Sequence, residues 1–219
     1  MYATTLTTND AEACVLLENE AFPENLRATR EKILYRLREN SGLCLGIKAT
    51  VFPNHHSSTP YRTMATFPVA VKFADTTTRR PSKFQPRSSI LLGHVICTLS
   101  ESKVINDAGM ALPPDWETAT SYQTKYPELG NKPLGRTLCI HSLAVLEGVR
   151  DFGVASLLLN ELAKRMKTHD VVDRIALICE GKLVKFYQSR GFKKVGESDV
   201  KFGGVPWFDM VRELSYLDA

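Results

Sequence analysis

The spacing of apolar residues divides the first forty residues into two helices. A capping box of Asn9 and Glu12 predicts the start of the first helix, which runs to about Ala21. The second helix spans residues 29–39, and its 3.6-residue period gives an apolar face and a basic face. We expect the two helices and the segment between them to form one side of a cleft or a cover over it. The apolar face comprises Ile33, Leu34 and Leu37, and the basic face comprises Arg30, Lys32, Arg36 and Arg38.

Two runs rich in apolar and β-branched residues, 43–52 and 90–99, predict a pair of hairpin strands. Between them, residues 53–89 are rich in Pro, Ser and Thr, which predicts a long loop-rich insertion with a short strand around residues 69–73. A second loop-rich stretch, 101–136, is expected to hold only a helical turn or two. Its aromatic residues Trp116, Tyr122 and Tyr126 are candidates to face the cleft.

The clearest pattern begins at residue 138. A strand over 138–145, an amphipathic helix over 154–167 and a strand over 174–179 follow one another, which is typical of a βαβ unit with parallel, neighbouring strands. A helix over about 183–190 that stops at Gly191, a strand near 192–195 and a strand over 207–214 follow. We therefore expect one α/β (α+β) domain over residues 1–219, with a mixed central sheet, flanking helices and the insertion at 53–89.

Composition excludes several whole-chain classes. The 219 residues are 43% hydrophobic and 24% charged, which disfavours long disorder, collagen-like repeats and coiled coil. A net charge of +4 is too small and too scattered to indicate a nucleic-acid partner. No apolar run approaches the roughly 20 residues of a membrane span, and the first ten residues lack the features of a signal peptide. We expect a cytoplasmic protein with neither a nucleic-acid nor a membrane partner.

The cysteines predict no metal site. They occur singly in apolar runs, with no CxxC pair and no nearby histidine at zinc-ligand spacing. We interpret them as small buried hydrophobic residues. They are Cys14, Cys44, Cys97, Cys139 and Cys179.

Residues 147–156 lie where the first strand of the βαβ unit turns into its helix. A glycine and small residues there leave backbone N–H groups pointing outward in front of the helix dipole, an arrangement that holds a phosphate or pyrophosphate. An ordinary βα turn, in which Gly153 allows tight packing, would have the same sequence pattern. The loop has neither the lysine of an ATP-binding phosphate loop nor the three glycines of an NAD fingerprint.

Residues 138–145, 150–155 and 183–192 together resemble the GNAT superfamily of acyl-CoA-dependent N-acetyltransferases. Its members carry an Arg/Gln-x-x-Gly-x-Gly/Ala loop that cradles the CoA pyrophosphate, and an FY-x-x-x-GF segment downstream. The resemblance implies the GNAT fold with a βαβ acetyl-CoA-binding core, acetyl-CoA as co-substrate and no metal. The cofactor-binding residues that it implies are Leu143, Ala144 and Val145 on the strand, and Arg150, Asp151, Phe152, Gly153, Val154, Ala155 and Ser156 in the loop.

Five shorter segments are similar to arylalkylamine (serotonin) N-acetyltransferases and their fungal polyamine-acetylating relatives. They are residues 20–22, 42–46, 92–96, 141–145 and 184–188. The similarity implies acetyl transfer to the primary amine of a small cation by direct attack in a ternary complex. Vertebrate members place two histidines, one residue apart, on the strand before the loop, and Cys139 occupies the first of these positions. Arylalkylamines and polyamines both remain open as substrates.

The resemblance also implies the catalytic residues. An alkylamine must lose a proton before it attacks a thioester, and His141 is the implied base. Tyr187 is the implied acid that protonates the departing CoA thiolate. A competing route would pass through an acetyl-cysteine on Cys139, with His141 as its base. Glu18, Glu20 and Glu24 are candidates to attract a cation, although solvated helix charges explain them too, and His55, His56, His94 and His169 are interpreted as structural.

Two other functions stay open. A protein N-terminal or lysine acetyltransferase would need an open groove for a peptide, against which the cover helices argue mildly. A non-catalytic acyl-CoA-binding module would need neither His141 nor Tyr187.

Overall fold

The computed structural model describes residues 1–51 and 88–214. The strand predicted around residues 69–73, together with almost all of the insertion predicted at 53–89, lies outside these described residues. Ser88 and Ser89 belong to a strand, so the predicted end of the insertion is wrong by two residues.

Within residues 1–51 and 88–214, seven strands form one mixed sheet in the order β1-β2-β3-β4-β5-β7-β6. Strand β2 pairs antiparallel with β3, which confirms the predicted hairpin strands, and β4 pairs parallel with β5, which confirms the predicted βαβ unit. Strand β4 also pairs antiparallel with β3. Strand β1 was not predicted, because its four residues form no apolar run. The strands are β1 Tyr2–Thr5, β2 Leu45–Val51, β3 Ser88–Ser100, β4 Thr137–Val145, β5 Arg174–Cys179, β6 Lys193–Glu197 and β7 Phe208–Glu213.

Five α-helices accompany the sheet in the described residues: α1 Ala11–Ala21, α2 Arg30–Glu39, α3 Asp107–Met110, α4 Val154–His169 and α5 Val184–Gln188. Helices α1 and α2 pack against β3, and α1 also contacts β4, whereas α4 packs against β2, β3 and β4. Within the described part of the chain, every helix is too short or too polar to cross a bilayer.

The capping box at the start of the first helix lies two residues earlier than predicted. Thr7 is the cap, since its hydroxyl accepts from the backbone N–H of Asn9 and its own N–H donates to the Asp10 carboxylate at 2.9 Å. One turn of 3₁₀ helix, Thr8–Asp10, therefore precedes α1. The predicted end at Ala21 is confirmed.

The core buries all five cysteines, as predicted, but it also buries Arg36, which the helical pattern assigned to an exposed basic face. Arg36 is 4% exposed and donates to the carbonyl oxygen of Met110 at 3.3 Å. The stretch between β3 and β4 covers this side of α2, and its Asn131 N–H donates to the Tyr35 hydroxyl at 2.9 Å. Periodicity identifies the apolar face of a helix, but it gives no sign that a loop covers the other face.

Candidate active site

Strands β4 and β5 separate halfway along the sheet. Their parallel pairing ends at Ile140 and Leu177, after which β5 continues beside β7 and β4 continues beside β3. Residues 141–145 therefore have no strand partner on the β5 side within the described sheet. Every second residue of this segment directs its N–H and C=O away from β3 and into the opening. Leu143, Ala144 and Val145, the strand residues expected to bind the cofactor, lie along this edge.

A β-bulge lies at His141. Ser142 pairs with Ile96 while Ile140 pairs with Cys97, so that His141 is the extra residue of β4. A bulge re-aims side chains, and both His141 and Ser142 line the same cavity.

Cys139 lies opposite Thr98, the residue that binds His141, so the acetyl-cysteine route depends on the state of the Cys139 thiol. Cys139 packs with Ala176 and Val211 in a second, smaller core cluster. Burial raises the pKa of its thiol to about 12, so the thiol is protonated at neutral pH. The structure therefore does not support Cys139 as the nucleophile of an acetyl-cysteine route.

Two connected cavities occupy the opening between the strands. We call the first the cleft cavity, and its lining includes Glu18, His141, Ser142, Ile178 and Trp207. The second, the loop-side cavity, extends to the start of α4, and its lining includes Leu143, Val145, Arg150, Ala155 and Phe186. The cavities share Phe22, Leu26, Leu143, Glu180, Leu183 and Tyr187.

Tyr187 lies where the two cavities meet. Its ring is packed edge-on between Phe186 and Phe192, with ring centres 5.0 and 5.7 Å away, and the residue is 7% exposed. Burial raises the pKa of its phenol well above the ordinary value of 10. The hydroxyl therefore keeps its proton throughout the neutral range and can act as a donor.

His141 is held by one hydrogen bond, between its Nε2 and the Thr98 hydroxyl at 2.7 Å. Its Nδ1 is buried and has no hydrogen-bond partner among the described residues. Burial, together with the positive charges of Arg36 and Lys32, lowers the pKa of His141 well below 6.5. The imidazole is therefore neutral at pH 7.

Glu18, Ser142 and His94 form a buried polar cluster beside His141, with exposures of 2%, 3% and 0%. The Ser142 hydroxyl donates to Glu18 Oε2 at 2.6 Å, and His94 Nε2 lies 2.8 Å from the same hydroxyl. Glu18 is therefore buried and is not a solvated charge on the helix surface, whereas Glu20 and Glu24 are exposed. Within residues 1–51 and 88–214, no three His, Cys, Asp or Glu side chains form a group that could hold a metal ion.

The loop before α4 has the predicted form. A 3₁₀ segment, Glu147–Phe152, leads into Gly153, whose φ of 75° is left-handed and which caps α4. The first backbone N–H groups of α4 have no partner within the helix. The Arg150 guanidinium reaches back toward the carbonyl oxygens of Val145 and Ala21, each at 3.4 Å. Of the predicted loop residues, Asp151 and Phe152 are exposed, Val154 is buried, and Ala155 lines the loop-side cavity.

Arg190 is a neighbour of this loop that sequence reasoning missed. Its Nε and Nη2 donate to the hydroxyl of Ser156 at 2.9 and 2.6 Å, and its guanidinium lies 3.6 Å from the centre of the Phe186 ring. The positively charged guanidinium of Arg190 therefore lies beside the first turn of α4. The position of Arg190 in the sequence gives no indication of its contact with Ser156.

Aromatic residues line the cleft cavity, but they are not those that were predicted. Tyr122 is 76% exposed, Tyr126 is 37% exposed, and Trp116 packs against the Arg38 guanidinium at 5.6 Å. The aromatic residues of the cavity lining are Phe22, Tyr187, Phe202 and Trp207.

Two short 3₁₀ segments meet over this cavity, Glu24–Leu26 and Phe202–Gly204, and we call them together the cover. They are joined by a hydrogen bond from the Asn25 amide to the carbonyl oxygen of Gly203. The cover confirms that the segment between α1 and α2 lies over the cleft.

Comparison with known proteins identifies the fold. A family model described as an acetyltransferase (GNAT) domain matches residues 131–214. Serotonin N-acetyltransferase of Mesocricetus auratus is 35% identical over 80 residues, which are 36% of this chain and 39% of that protein. The match thus spans about two fifths of the length of this curated relative.

Solved structures match over nearly the whole chain. A GphF GNAT-like decarboxylase in complex with isobutyryl-CoA has a TM-score of 0.61 at 14% identity, covering 98% of this chain and 100% of that one. The NatC complex bound to Gag peptide and CoA has a TM-score of 0.56 at 14% identity, covering 98% of each chain. The fold is therefore the GNAT fold, as the sequence predicted.

Proposed function

We propose that this protein is an acetyl-CoA-dependent N-acetyltransferase that acts on the primary amine of a small acceptor by direct attack in a ternary complex. The observation that carries the proposal is the junction of the two cavities at the opening between β4 and β5, with Tyr187 beside it. A thioester that enters from one cavity would there meet an amine that enters from the other.

The loop-side cavity suits acetyl-CoA. It leads from the start of α4, where N–H groups and the helix dipole favour a pyrophosphate, along the free edge of β4. Residues Arg150 to Ser156 would hold the phosphates, and backbone N–H groups at Leu143 to Val145 would polarise the thioester carbonyl. The CoA and isobutyryl-CoA bound to two proteins of the same fold support this assignment.

His141 and Tyr187 would move the protons. The amine loses a proton to His141, which is neutral and able to accept it, and its nitrogen attacks the thioester carbon. The carbon–sulfur bond then breaks, the thiolate takes the proton of the Tyr187 hydroxyl, and the second proton that the nitrogen loses returns to the Tyr187 oxygen. The similarity to serotonin N-acetyltransferase supports an amine as the acceptor.

The acceptor that fits best is an apolar monoamine, such as an arylalkylamine, rather than a polyamine. Phe202 and Trp207 stack with ring centres 6.5 Å apart and present aromatic surface to the cleft cavity. Lys32 lies 5.6 Å from the centre of the Phe202 ring, and its charge and that of Arg36 act on His141. A second ammonium group on the acceptor would be repelled by these cations.

The cover favours a small acceptor over a peptide. A protein acetyltransferase needs a groove that is open at the acceptor end, whereas the hydrogen bond between Asn25 and Gly203 joins two segments that both contribute to the cavity lining, through Leu26 and Phe202. The peptide-bound NatC complex shares the fold, so peptide acetylation is the alternative that experiment should exclude.

A thiol-release assay tests the proposal. The protein is incubated with acetyl-CoA and, separately, tryptamine, serotonin, phenethylamine, spermidine and a peptide with a free N-terminus. We expect thiol release with the aromatic amines and little with spermidine or the peptide. Release only with the peptide would overturn the choice of acceptor, and tight acetyl-CoA binding without release to any amine would indicate a binding module.

Calorimetry provides the matching test of the cofactor. A ligand that binds only the native state stabilises it by RT ln(1 + [L]/Kd), about 2.7 kcal/mol at a hundredfold excess over Kd. We expect acetyl-CoA to raise the melting temperature and ATP and NAD to leave it unchanged. The reverse result would mean that the loop before α4 binds a different nucleotide.

A further inference from the structure

We propose that the Glu18 carboxylate binds the ammonium group of the acceptor, and that Ser142 and His94 are positioning residues that hold this carboxylate toward the cleft cavity. The inference rests on the proposed function and deepens it, because the family resemblance implied only His141 for handling the amine.

The contacts of Glu18 fix both of its carboxylate oxygens. Oε1 accepts the backbone N–H of Ala28 at 2.9 Å, and Oε2 accepts the hydroxyl of Ser142 at 2.6 Å. His94 Nε2 lies 3.4 Å from Oε2. Each carboxylate oxygen can accept two hydrogen bonds, so capacity remains for a cation in the cavity that Glu18 lines.

The direction of each hydrogen bond follows from this geometry. An ionised carboxylate can only accept, so the Ser142 hydroxyl donates its hydrogen to Glu18. Ser142 Oγ is then free to accept from His94, which places the ring hydrogen on Nε2. The other ring nitrogen of His94, Nδ1, is buried with no hydrogen-bond partner among the described residues, and a hydrogen there would be unsatisfied. The hydrogen bonds therefore run from His94 to Ser142 and from Ser142 to Glu18.

These donors account for an anion at a buried position. Burial by itself raises the pKa of Glu18, but the contacts with His94, Ser142 and the Ala28 N–H outweigh it and hold the pKa below its ordinary value. Among the described residues, the other charged or titratable groups around the cluster include Cys14 on α1, Arg36 on α2 and His141 on β4. In a cavity with this largely apolar lining such a fixed negative charge selects an ammonium group over a neutral group of similar shape.

A charged and a neutral ligand of the same shape test the role of Glu18. Tryptamine carries an ammonium group, and tryptophol has a hydroxyl in its place. We expect Glu18→Gln to raise the KM of tryptamine about 10-fold or more, the loss typical of a hydrogen bond to a charged group. The inhibition constant of tryptophol and the KM of acetyl-CoA should change less than about twofold, because neither interaction uses the charge. Glu20→Gln, an exposed position on the same helix, is the matched control.

His94 and Ser142 are tested by removal and rescue. His94→Leu keeps volume but removes the donor, and it should raise the KM of tryptamine with little change in kcat. His94→Gln offers an amide N–H near the position of Nε2 and should restore most of the loss. Ser142→Ala should resemble His94→Leu, and it introduces no bulk if the leucine variant does not fold.

Several results would overturn the proposal. An equal loss of tryptamine and tryptophol in Glu18→Gln would mean that the carboxylate only supports the fold. A normal tryptamine KM in both His94→Leu and Ser142→Ala would remove the positioning role. Titration calorimetry with tryptamine measures the same preference without turnover. A protein that binds tryptamine through Glu18 but transfers no acetyl group would therefore contradict the proposed function and not this inference.

Discussion

The side-chain amide of Asn25 donates a hydrogen bond of 2.8 Å to the carbonyl oxygen of Gly203, which lies 178 residues later in the chain. This hydrogen bond helps to join the segment between α1 and α2 to the segment between β6 and β7. Each segment contributes a residue to the lining of the cleft cavity, Leu26 from the first and Phe202 from the second, so the proposed function predicts that acceptor binding depends on this contact.

Replacing Gly203 with alanine should open the cover. Its φ is 66°, and an added Cβ would overlap the Leu26 side chain and lie 2.9 Å from the Asn25 carbonyl oxygen. We expect the KM of the amine to rise several-fold and the KM of acetyl-CoA to stay constant. Gly204→Ala is the control, because its φ of 68° imposes the same backbone strain while its Cβ would meet nothing within 4 Å. Equal effects of the two substitutions on the amine would mean that strain alone is responsible.

Gly153→Val should impair acetyl-CoA binding more than it impairs folding. The Cβ would meet no protein atom within 4 Å, so the loss of stability should reflect the left-handed φ of 75°, which costs about 1–2 kcal/mol for a residue with a side chain. The side chain would instead crowd a phosphate that approaches the backbone of α4. Steady-state kinetics should give a raised KM for acetyl-CoA, and Gly204→Val controls for strain. A normal KM would reduce this loop to an ordinary βα turn.

Tyr187→Phe should lower kcat about 100-fold, in the range typical of general acid catalysis. The ring and its packing against Phe186 and Phe192 remain, so urea unfolding should change little. Because burial raises the pKa of the phenol, the wild-type rate should show no loss from ionisation of Tyr187 up to pH 10. A variant with normal kcat at every pH would mean that water protonates the thiolate.

The stability of the protein should fall as the pH drops below about 6.5, partly because of His141. Its pKa in the folded state is well below the ordinary value, so at acidic pH the unfolded chain takes up a proton that the folded chain does not. The slope from one such group is at most about 1.4 kcal/mol per pH unit, and it vanishes above the unfolded pKa. Urea unfolding at pH 5 and pH 7.5 should show a smaller difference in His141→Gln than in the wild type. Identical differences would mean that His141 is readily protonated in the fold.

Local sequence patterns were sufficient for most of the fold. The runs around residues 45–51, 88–100 and 137–145 are long and apolar, so their strands were predicted within a few residues. Strand β1 was missed because its stability comes from pairing with β2, which is a long-range contact that a four-residue pattern cannot report. The contact of Arg36 with Met110 was missed for the same reason, since 74 residues separate the partners.

Only part of the candidate site could be predicted from the sequence. His141 and Tyr187 were predicted through family motifs, but the bulge that brings Ser142 beside His141 depends on the register of β3 against β4, which no motif encodes. The sequence did contain an indication that Glu18 is buried. It lies four residues after Cys14 and one after Leu17 on the buried stripe of α1, and a carboxylate in such a stripe indicates a buried partner. The identity of that partner, Ser142, could come only from the tertiary structure.

The order of the last three strands has a consequence for how the chain folds. Strand β7 lies between β5 and β6, and β6 pairs with β7 alone within the described sheet. During synthesis β6 leaves the ribosome before β7, so it has no neighbour to pair with until residues 208–213 have followed. A ribosome that pauses between these strands would therefore expose the unpaired edge of β5, which later receives Phe208 and Met210, to chaperones or to other chains.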